Sequence, residues 1–326
     1  MTAVVRCDYG TADVLQLAQV EIPAPGDEEI LVKVHAAAIN PLDWHEMRGT
    51  PYLMRLGSGL RRPQDLRLGV DFAGTVEAVG AKVTRFKPGD AVFGGRSGAL
   101  AQYLVVRQDR AVALKPESVT FEQAAGVGIA GTTALQGLRD AGRLEAGDQV
   151  LVNGASGGVG TFAVQIAKSM GAEVTGVSSA GNHELVLSLG ADHVIDYKTR
   201  DYTAGDLRYD VILDNVGNRS LSENRRVLTP DGRYVLIGGG GPDAGNWIGP
   251  LARPLQAMLV SPFVSQDMGL LLAMLGNEDM NALAALMQSG TVTPVIDRRY
   301  PLAEIAEAIR YLEQGRARGK VVITVE

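Results

Sequence analysis

The sequence predicts an α/β fold that combines a β domain with a second domain built on a doubly wound parallel sheet. Three observations predict it. Short strand patterns fill the first 120 residues of the 326-residue chain, strands then alternate with helices, and a glycine-rich turn joins one of those strands to a helix. Strands that alternate with helices form parallel sheets covered by helices on both faces. The length suits two domains.

The β domain is predicted from short runs of β-branched and aromatic residues separated by Gly, Pro and Asp. These runs are Ile30–Val34, Gly74–Val79, Asp90–Phe93 and Ala101–Val106. The end of the chain returns to strand, helix and strand, in the segments Thr293–Asp297, Ala303–Leu312 and Lys320–Val325. We therefore predict that residues 1–122 and 291–326 form the β domain and that residues 123–290 form the parallel-sheet domain.

The parallel sheet is predicted from five short strand patterns, which are Gln149–Val152, Glu173–Val177, His193–Asp196, Asp210–Leu213 and Tyr234–Ile237. The segment Asp267–Leu275 could add a sixth strand, and Met280–Gln288 could form a helix after it. Periodicity alone does not distinguish a strand from a helix in such short apolar segments. Both assignments are therefore expectations for the structure to test.

A glycine-rich turn follows the first strand of this sheet, with glycines at positions 154, 157 and 160 and an amphipathic helix after them. A pyrophosphate needs backbone N–H groups at close range and the positive end of a helix dipole, and residues without a Cβ allow both. The spacing G-x-x-G-x-x-G departs from G-x-G-x-x-G, and a glycine-rich surface loop is the alternative. The flanking strand and helix favour a dinucleotide site formed by Ser156, Gly157, Gly158 and Val159.

Charge and composition exclude several classes of partner. The formal net charge of -6 comes from 31 basic and 37 acidic residues without long runs, which argues against nucleic-acid binding. No apolar stretch approaches the roughly 18 residues that span a membrane, and the N-terminus lacks the layout of a signal peptide. The single cysteine, Cys7, excludes an intrachain disulfide and fits a reducing compartment. We expect a cytoplasmic protein without nucleic-acid or membrane partners.

Several motifs are distributed over nearly the whole chain. They are Ala36–Pro41, Gly69–Gly74, Phe86–Val92, Gly131–Leu135, Asn153–Gly160 with Gln165–Lys168, Gly190–Asp196 and Arg318–Ile323. Together they resemble the medium-chain dehydrogenase/reductase superfamily, and within it the zinc-independent quinone oxidoreductase branch. The resemblance implies a GroES-like β domain made from both ends of the chain, a Rossmann domain between them, and an active site in the cleft where nicotinamide meets substrate.

The resemblance also implies an assembly and further cofactor contacts. Relatives pair through the edge strand of the Rossmann sheet, so a homodimer formed through Asp267–Leu275 is expected. Ligands of open parallel sheets bind at the carboxyl ends of the strands. The cofactor contacts implied there or nearby are Thr132, Tyr197, Asn215, Gly217, Ile237 and Gly238.

Zinc-dependent members of the superfamily hold their catalytic metal with a Cys and a His in segments that here contain Asn40 and Val70. Valine cannot bind zinc, and a catalytic zinc site needs about three protein ligands. The other candidate ligands are His35 and His45 with Asp43 or Asp71, for which ordinary hydrogen-bonded roles are the alternative. We therefore predict no metal site.

Residues after the second strand of the parallel sheet predict which nicotinamide cofactor binds. In proteins that prefer NAD, an Asp or Glu about 20 residues beyond the glycines accepts a hydrogen bond from the ribose 2′-hydroxyl. In this chain Ser178 and Ser179 occupy the position of that carboxylate. Their two uncharged hydroxyls tolerate a 2′-phosphate, which a carboxylate would repel. Relatives often add Arg or Lys just beyond the serines, whereas this chain has His183, a weaker and pH-dependent phosphate partner. We predict that NADPH is preferred and that NADH binds more weakly; for the individual serines, a loop that happens to be rich in serine is the alternative.

Hydride transfer to a carbonyl or enone leaves negative charge on an oxygen, which a site without zinc stabilises with hydrogen-bond donors. Asn40 matches the Asn of the family's active-site segment and is the candidate catalytic or substrate-binding residue; a turn residue before Pro41 is the alternative. Tyr52 is a second candidate donor. The segment Arg48–Arg67 could form a lid or wall of the substrate site or an ordinary surface loop, and together with Trp247–Val260 it would set substrate size.

The leading interpretation is an NADPH-dependent reductase of small-molecule quinones or α,β-unsaturated carbonyl compounds. The alternative within enzymes is a zinc-independent alcohol dehydrogenase or ketone reductase. The alternative from another class is a non-catalytic NADPH-binding redox sensor. The sequence does not distinguish one physiological substrate from another, and it identifies no proton donor.

Overall fold

Residues 1–237 and 264–325 are described by a computed structural model, in which the chain forms two units. Unit 1 contains Met1–Thr132 together with Leu275–Glu326. Unit 2 contains Thr133–Met274. Both ends of the chain therefore contribute to one unit, and the intervening chain forms the other.

The boundaries between these units differ from the predicted domain boundaries at 122/123 and 290/291. The helix Asn277–Gln288 accounts for the difference at the second boundary. Asn277 Nδ2 donates hydrogen bonds to the carbonyls of Arg110 at 3.2 Å and Val112 at 3.0 Å, both in unit 1. The helix expected at Met280–Gln288 is confirmed, but it belongs by its contacts to unit 1.

Unit 1 is built on β-strands, as the sequence predicts. Its strands are β1 (Thr2–Val5), β2 (Gln16–Gln19), β3 (Glu29–Ile39), β4 (Asp71–Val79), β5 (Ala91–Gly95), β6 (Tyr103–Arg107), β7 (Val112–Leu114), β14 (Ile296–Pro301) and β15 (Lys320–Thr324). β1 pairs with β2, and the larger sheet has the order β14-β15-β3-β4-β5-β7, with β6 also paired to β3. Side chains such as Ile39, Phe72 and Ile323 fill its core.

The register of the larger sheet brings three strand ends together. β15 pairs antiparallel with β3 and aligns Val321 with Ile39. β4 pairs antiparallel with the other side of β3 and aligns Asp71 with Ala38. Because neighbouring antiparallel strands begin where the central strand ends, Asn40 lies between the first residues of β15 and β4. The pairing thus gathers at one edge side chains that are far apart in sequence.

Unit 2 contains a parallel sheet. Its strands are β8 (Gln149–Asn153), β9 (Glu173–Ser178), β10 (His193–Asp196), β11 (Tyr209–Asp214), β12 (Leu228–Leu236) and β13 (Asp267–Leu270). Their order is β10-β9-β8-β11-β12-β13, and all neighbours are parallel. The doubly wound sheet and its sixth strand are therefore confirmed. The strand order reverses between β8 and β11, which is where an open parallel sheet binds ligands.

Helices connect the strands in both units. They are Pro41–Arg48, Arg55–Ser58, Phe121–Ala125, Gly128–Gln136, Gly158–Ser169, His183–Ser188, Leu221–Arg226, Asn277–Gln288 and Ile305–Glu313. The helix Gly158–Ser169 packs on β8 and β9 and buries Phe162, Ala163 and Ile166. In the part of the chain that the structure describes, none of the helices has the length and apolar character needed to cross a membrane.

Candidate active site

The glycine turn lies between β8 and the helix Gly158–Ser169. Gly154 has a φ of +80°, a left-handed conformation that residues with a Cβ rarely adopt. At Gly160 a Cβ would stand 2.7 Å from Cα of Ala155 and would also meet the Gly154 carbonyl, so the backbone would have to move. The helix begins after Gly157 without a side-chain cap. Its first N–H groups are therefore available to an anion, as a pyrophosphate site requires.

The buried carboxylate of Asp214 joins the glycine turn to the loop after β11. It accepts hydrogen bonds from Asn153 Nδ2 at 2.8 Å, from the Gly217 N–H at 2.8 Å and from Tyr234 Oη at 2.7 Å. Asn215 Nδ2 donates to the Asn153 carbonyl at 2.9 Å, and Asn215 Oδ1 is buried with no hydrogen-bond partner among the described residues. A buried oxygen without a donor is an open position for a polar ligand. The predicted contacts Asn215 and Gly217 are thus held beside the glycine turn.

The serines at the end of β9 are connected to the same turn. Ser178 is buried, and the half-buried Ser179 accepts the Asn182 N–H at 2.9 Å through its carbonyl. Asn182 Nδ2 donates to Ser156 Oγ at 2.9 Å. His183 follows, and its Nε2 is buried with no hydrogen-bond partner in the described parts of the chain. The segment that contains Ser178, Ser179 and Asn182 is therefore hydrogen-bonded to the glycine turn.

Two further predicted contacts follow the next strand ends of the same sheet. Tyr197 follows β10, its side chain is 49% exposed, and its N–H donates to the Ser178 carbonyl at 3.3 Å. Ile237 follows β12, and its N–H donates to the Asp214 carbonyl at 2.9 Å. The predicted cofactor residues after β8, β9, β10, β11 and β12 consequently share the carboxyl edge of the unit 2 sheet.

Thr132 lies in the helix Gly128–Gln136 of the chain. Its side chain is fully buried, and its Oγ1 has no hydrogen-bond partner among the residues that the structure describes. An unpaired buried hydroxyl is costly unless a ligand or water satisfies it, which is consistent with the predicted cofactor contact. Gly238 and the segment Trp247–Val260 lie outside the described residues.

In unit 1, the strand ends that meet at one edge carry Asn40, Asp71 and Lys320, which we call the Asn40 network. Their exposed fractions are 3%, 0% and 3%. Asn40 Nδ2 donates to Asp71 Oδ2 at 2.9 Å, Lys320 Nζ donates to Asn40 Oδ1, and Lys320 Nζ lies 3.4 Å from Asp71 Oδ2. Asp71 Oδ1 accepts the Ile129 N–H at 2.8 Å. Burial raises the pKa of Asp71, and Lys320, the Asn40 amide and the Ile129 N–H oppose that rise.

Asp43 stands in the first turn of the helix that follows Asn40 and is hydrogen-bonded to this network through the Asn40 backbone. It is fully buried, its Oδ2 accepts the Asn40 N–H at 2.6 Å, and its Oδ1 has no hydrogen-bond partner within the described residues. Burial raises the pKa of Asp43 to about 7, helped by the charges of Asp71 and Glu46 and opposed by the Asn40 N–H and Lys320. Asp43 therefore changes its charge near neutral pH.

We expect Asp43 to make the free energy of unfolding fall as the pH rises from about 4 to about 7. Folded Asp43 keeps its proton up to about pH 7, whereas an unfolded aspartate loses it near about pH 4. The folded state therefore binds more protons in this window, and stability falls by up to ~1.4 kcal/mol per pH unit. Asp43→Asn should remove this component, because Asn stays neutral and still offers an oxygen to the Asn40 N–H.

Urea unfolding of the wild type and Asp43→Asn at about pH 5 and about pH 8 measures the effect. We expect the stability of the variant relative to the wild type to be greater at the higher pH than at the lower pH by about 2–3 kcal/mol. The comparison isolates Asp43 from the other charged groups that face it. These groups are Arg6, Glu46, Asp71 and Lys320. The same stability difference at both pH values would contradict the raised pKa.

Tyr52, the second predicted donor, lies in a short turn that is anchored by Arg55. The Arg55 guanidinium lies over the rings of Tyr52 at 4.5 Å and Tyr9 at 4.4 Å, and its Nε donates to the Gly49 carbonyl at 2.8 Å. Tyr9 Oη donates to the Gly59 carbonyl at 2.8 Å. The exposed apolar side chains of this segment include Leu53, Leu56 and Leu60. The structure gives Tyr52 an anchoring contact, and its catalytic role stays a prediction.

The histidines that the sequence offered as zinc ligands make other contacts. His35 Nε2 lies 2.9 Å from Thr75 Oγ1, and His45 Nδ1 lies 2.8 Å from the Thr50 carbonyl. Over residues 1–237 and 264–325, no group of three or more His, Cys, Asp or Glu side chains is placed to hold a metal ion. Val70, in the segment where zinc-dependent superfamily members carry a histidine, is 9% exposed.

Two residues of these sites were not predicted from the sequence. Lys320 begins β15, and Asp214 ends β11. Each is a charged residue at the end of an otherwise apolar strand, where a charge is costly to bury unless it is paired. That contrast is the sequence signal that could have indicated them.

Comparison with known proteins identifies the family. The family model described as "Alcohol dehydrogenase GroES-like domain" matches residues 26–117, and the one described as "Zinc-binding dehydrogenase" matches residues 189–323. The quinone oxidoreductase of Sus scrofa is 34% identical over 340 residues, which cover 99% of this chain and 97% of that protein. The chain belongs to the quinone oxidoreductase branch of the medium-chain dehydrogenase/reductase superfamily. The resemblance stated from the motifs is thereby confirmed.

The names of two other similar proteins indicate the chemistry of this branch. The 2-methylene-furan-3-one reductase of Solanum lycopersicum is 34% identical, over 97% of this chain and 77% of that protein. The Escherichia coli quinone oxidoreductase, solved in complex with NADPH, matches with a TM-score of 0.82 and 26% identity, over 99% of this chain and 100% of that one. The protein is therefore an oxidoreductase of this superfamily that uses a nicotinamide cofactor. Its GroES-like and Rossmann folds agree with the sequence prediction.

Proposed function

We propose that this oxidoreductase uses NADPH to reduce quinones or α,β-unsaturated carbonyl compounds without zinc. The observation that carries the proposal is the Asn40 network, in which a buried amide is held between a lysine and an aspartate. The named activities of two relatives, a quinone oxidoreductase and a 2-methylene-furan-3-one reductase, support this class of acceptor.

The residues of the network do not suit a zinc ion. Asn40 and Val70 occupy the segments in which zinc-dependent superfamily members have Cys and His, and valine offers no ligand atom. The Asn40 amide oxygen already accepts a hydrogen bond from the Lys320 ammonium, whose positive charge would repel a divalent cation. Hydrogen-bond donors would therefore stabilise the charge that the reaction develops.

The chemistry follows from where negative charge accumulates. A reduced nicotinamide held by the residues of unit 2 would supply a hydride, and the acceptor oxygen would gain charge on addition at a carbonyl carbon or at the β-carbon of an enone. Asn40 donates a hydrogen bond from Nδ2 to that oxygen. Quinones and enones suit this donor because conjugation spreads the charge, whereas an unactivated ketone needs stronger stabilisation. Solvent supplies the proton that completes the reduction.

The residues of unit 2 fit a dinucleotide phosphate. The uncapped N-terminus of the helix Gly158–Ser169 offers N–H groups to the pyrophosphate, and the buried Asn215 Oδ1 can accept a hydrogen bond from the cofactor. Ser178 and Ser179, at the end of β9, carry no negative charge that would repel a 2′-phosphate. The Ser179 hydroxyl can donate to its oxygens, whereas the Ser178 hydroxyl donates to the Ser179 carbonyl at 3.3 Å. These features support NADPH as the preferred cofactor.

We expect Ser179→Asp to reverse the cofactor preference. The new carboxylate would repel a 2′-phosphate and would accept hydrogen bonds from the 2′-hydroxyl of NADH. The Kd for NADPH should rise by about tenfold or more, while the Kd for NADH stays the same or falls. Fluorescence titration with both cofactors measures the two constants. Ser188→Asp, at an exposed serine in the helix His183–Ser188, is the matched control. Unchanged NADPH affinity in Ser179→Asp would remove this serine from the cofactor site.

A panel of acceptors tests the proposed function. Consumption of NADPH and NADH is followed with a quinone, an enone and a simple ketone. We expect turnover with the quinone or the enone, a higher kcat/KM with NADPH, and little turnover with the ketone. Preference for the ketone would indicate the alternative alcohol dehydrogenase or ketone reductase. Tight NADPH binding without turnover of any acceptor would indicate a redox sensor.

We also propose a homodimer formed through β13. Among the described strands, β13 pairs on one side only, with β12, and an unpaired apolar edge favours association. Leu272 and Met274, just after this strand, are 74% and 77% exposed. Sedimentation at micromolar concentration tests the proposal. Replacing Leu272 and Met274 by Lys should shift the dimer to monomer, and a monomeric wild type would refute it.

A further inference from the structure

We propose that Lys320 and Asp71 are positioning residues that make Asn40 a stronger hydrogen-bond donor to the acceptor oxygen. The positive charge of Lys320 acts on that oxygen through the Asn40 amide, without contact between the lysine and the substrate. This inference rests on the proposed function, because it concerns how the same site stabilises charge.

The contacts of Asn40 determine which end of its amide faces which neighbour. Oδ1 accepts from Lys320 Nζ, and Nδ2 donates to Asp71 Oδ2 at 2.9 Å. A flipped amide would set its N–H groups against the ammonium and its oxygen against the carboxylate, so both bonds would be lost. An amide nitrogen carries two protons, and within the described residues Asp71 is the acceptor for one of them. The second N–H is therefore the group that Asn40 offers to a substrate.

The lysine polarises this amide. An ammonium that donates to the carbonyl oxygen draws electron density from the amide and makes its N–H a better donor. The effect is strong away from water, and Asn40 and Lys320 are each 3% exposed while Asp71 is fully buried. Lys320 Nζ is 3.4 Å from Asp71 Oδ2 but closer to Asn40 Oδ1. The main hydrogen bond of the lysine is thus to the amide rather than to its counter-ion.

The surrounding backbone makes room for the two charged side chains. A Cβ at Gly126 would lie 3.2 Å from Lys320 Cγ, and a Cβ at Gly128 would collide with Asp71 Oδ1. The Ile129 N–H donates to Asp71 Oδ1 at 2.8 Å. Burying a lysine carries a desolvation cost that pairing alone often fails to repay. The hydrogen bond from the buried lysine to the Asn40 amide gives a functional reason for burying it despite this cost.

The test is Lys320→Met, which removes the charge and keeps most of the side-chain length. We expect kcat to fall by about a hundredfold with a simple enone, whose enolate concentrates its charge, and by about tenfold or less with a quinone. The Kd for NADPH should stay within about threefold of the wild type, and Lys320→Arg should recover part of the lost kcat. NMR gives a second measurement. The Asn40 side-chain N–H, assigned by its absence in Asn40→Asp, should shift upfield in Lys320→Met.

Lys115→Met is the matched control, because Lys115 is a partly buried lysine of unit 1 that donates to the carbonyls of Pro116 and Val119. It should leave kcat and the Asn40 resonance unchanged. An equal loss of kcat with every acceptor, a parallel loss of NADPH affinity, or an unmoved Asn40 resonance in Lys320→Met would each overturn the proposal.

A second variant covers the case in which Lys320→Met does not fold. Lys320→Met combined with Asp71→Asn removes both buried charges, which restores stability more readily than removing one. The same acceptor-dependent loss is expected of it, and a uniform loss overturns the proposal. A wild-type protein that binds NADPH and reduces no acceptor would refute the proposed function instead. The NMR comparison would then decide the polarisation of Asn40 independently of turnover.

Discussion

Gly160→Ala is expected to abolish tight cofactor binding and to destabilise unit 2. The added Cβ would lie 2.7 Å from Cα of Ala155 and would meet the Gly154 carbonyl, and both neighbours are backbone that cannot rotate away. Such overpacking costs about 1–3 kcal/mol. Because the displaced turn is the predicted pyrophosphate site, the Kd for NADPH should also rise at least about tenfold. Thermal unfolding and fluorescence titration measure the two effects.

Substitutions at two other glycines distinguish the loss of stability from the loss of cofactor affinity. Gly269→Ala, in β13, adds a Cβ that meets nothing within 4 Å and should change neither stability nor NADPH affinity. Gly157→Ala adds a Cβ whose nearest neighbour is the Gly154 carbonyl at 3.4 Å, so stability should be retained while close approach of a pyrophosphate is impaired. Wild-type stability and affinity in Gly160→Ala would contradict the tight turn.

Asn40→Ala is expected to lower kcat/KM for a quinone or an enone by about 10²–10³, the usual effect of removing one oxyanion donor. The Kd for NADPH should change little, because the predicted cofactor residues of unit 2 remain intact. Steady-state kinetics and fluorescence titration measure these constants. Some loss of stability is also expected, because Lys320 and Asp71 each lose a hydrogen bond.

Asn281→Ala provides the control for this substitution. Asn281 is exposed on the helix Asn277–Gln288, where its Nδ2 donates to Asn277 Oδ1, so its loss should leave kinetics unchanged. Thermal unfolding of Asn40→Ala shows whether enough folded protein is present for the rates to be compared. A folded Asn40→Ala enzyme with wild-type kcat/KM would show that Asn40 is a turn residue and does not act on the substrate.

Most of the fold could be predicted because its signals are local. The strand pattern at His193–Asp196 and the glycine turn each contain the pattern of their own element, and both are observed. The sequence prediction placed the helix Asn277–Gln288 in the parallel-sheet domain, because its local pattern does not show the hydrogen bonds that Asn277 makes to the distant residues Arg110 and Val112. Propensity predicts a helix and not its tertiary neighbours.

The residues of the candidate site could be predicted where they lie within a single sequence motif. Asn40 and the turn from Ser156 to Val159 stand in recognisable segments, whereas Lys320 is 280 positions away from Asn40 along the chain. The antiparallel pairing of β15 with β3 brings the two together, and a lysine is ordinarily expected to be exposed. Asp214 was missed for a similar reason, since Asn153 and Tyr234, two of its hydrogen-bond donors, come from the neighbouring strands β8 and β12.

Activity of zinc-free protein tests the proposed chemistry most directly. The protein is treated with a chelator, its zinc content is determined, and NADPH oxidation is measured with a quinone and with an enone. If the Asn40 network stabilises the charge, turnover continues at the untreated rate with zinc far below one ion per chain. A stoichiometric zinc ion whose removal abolishes turnover would contradict reduction without a metal.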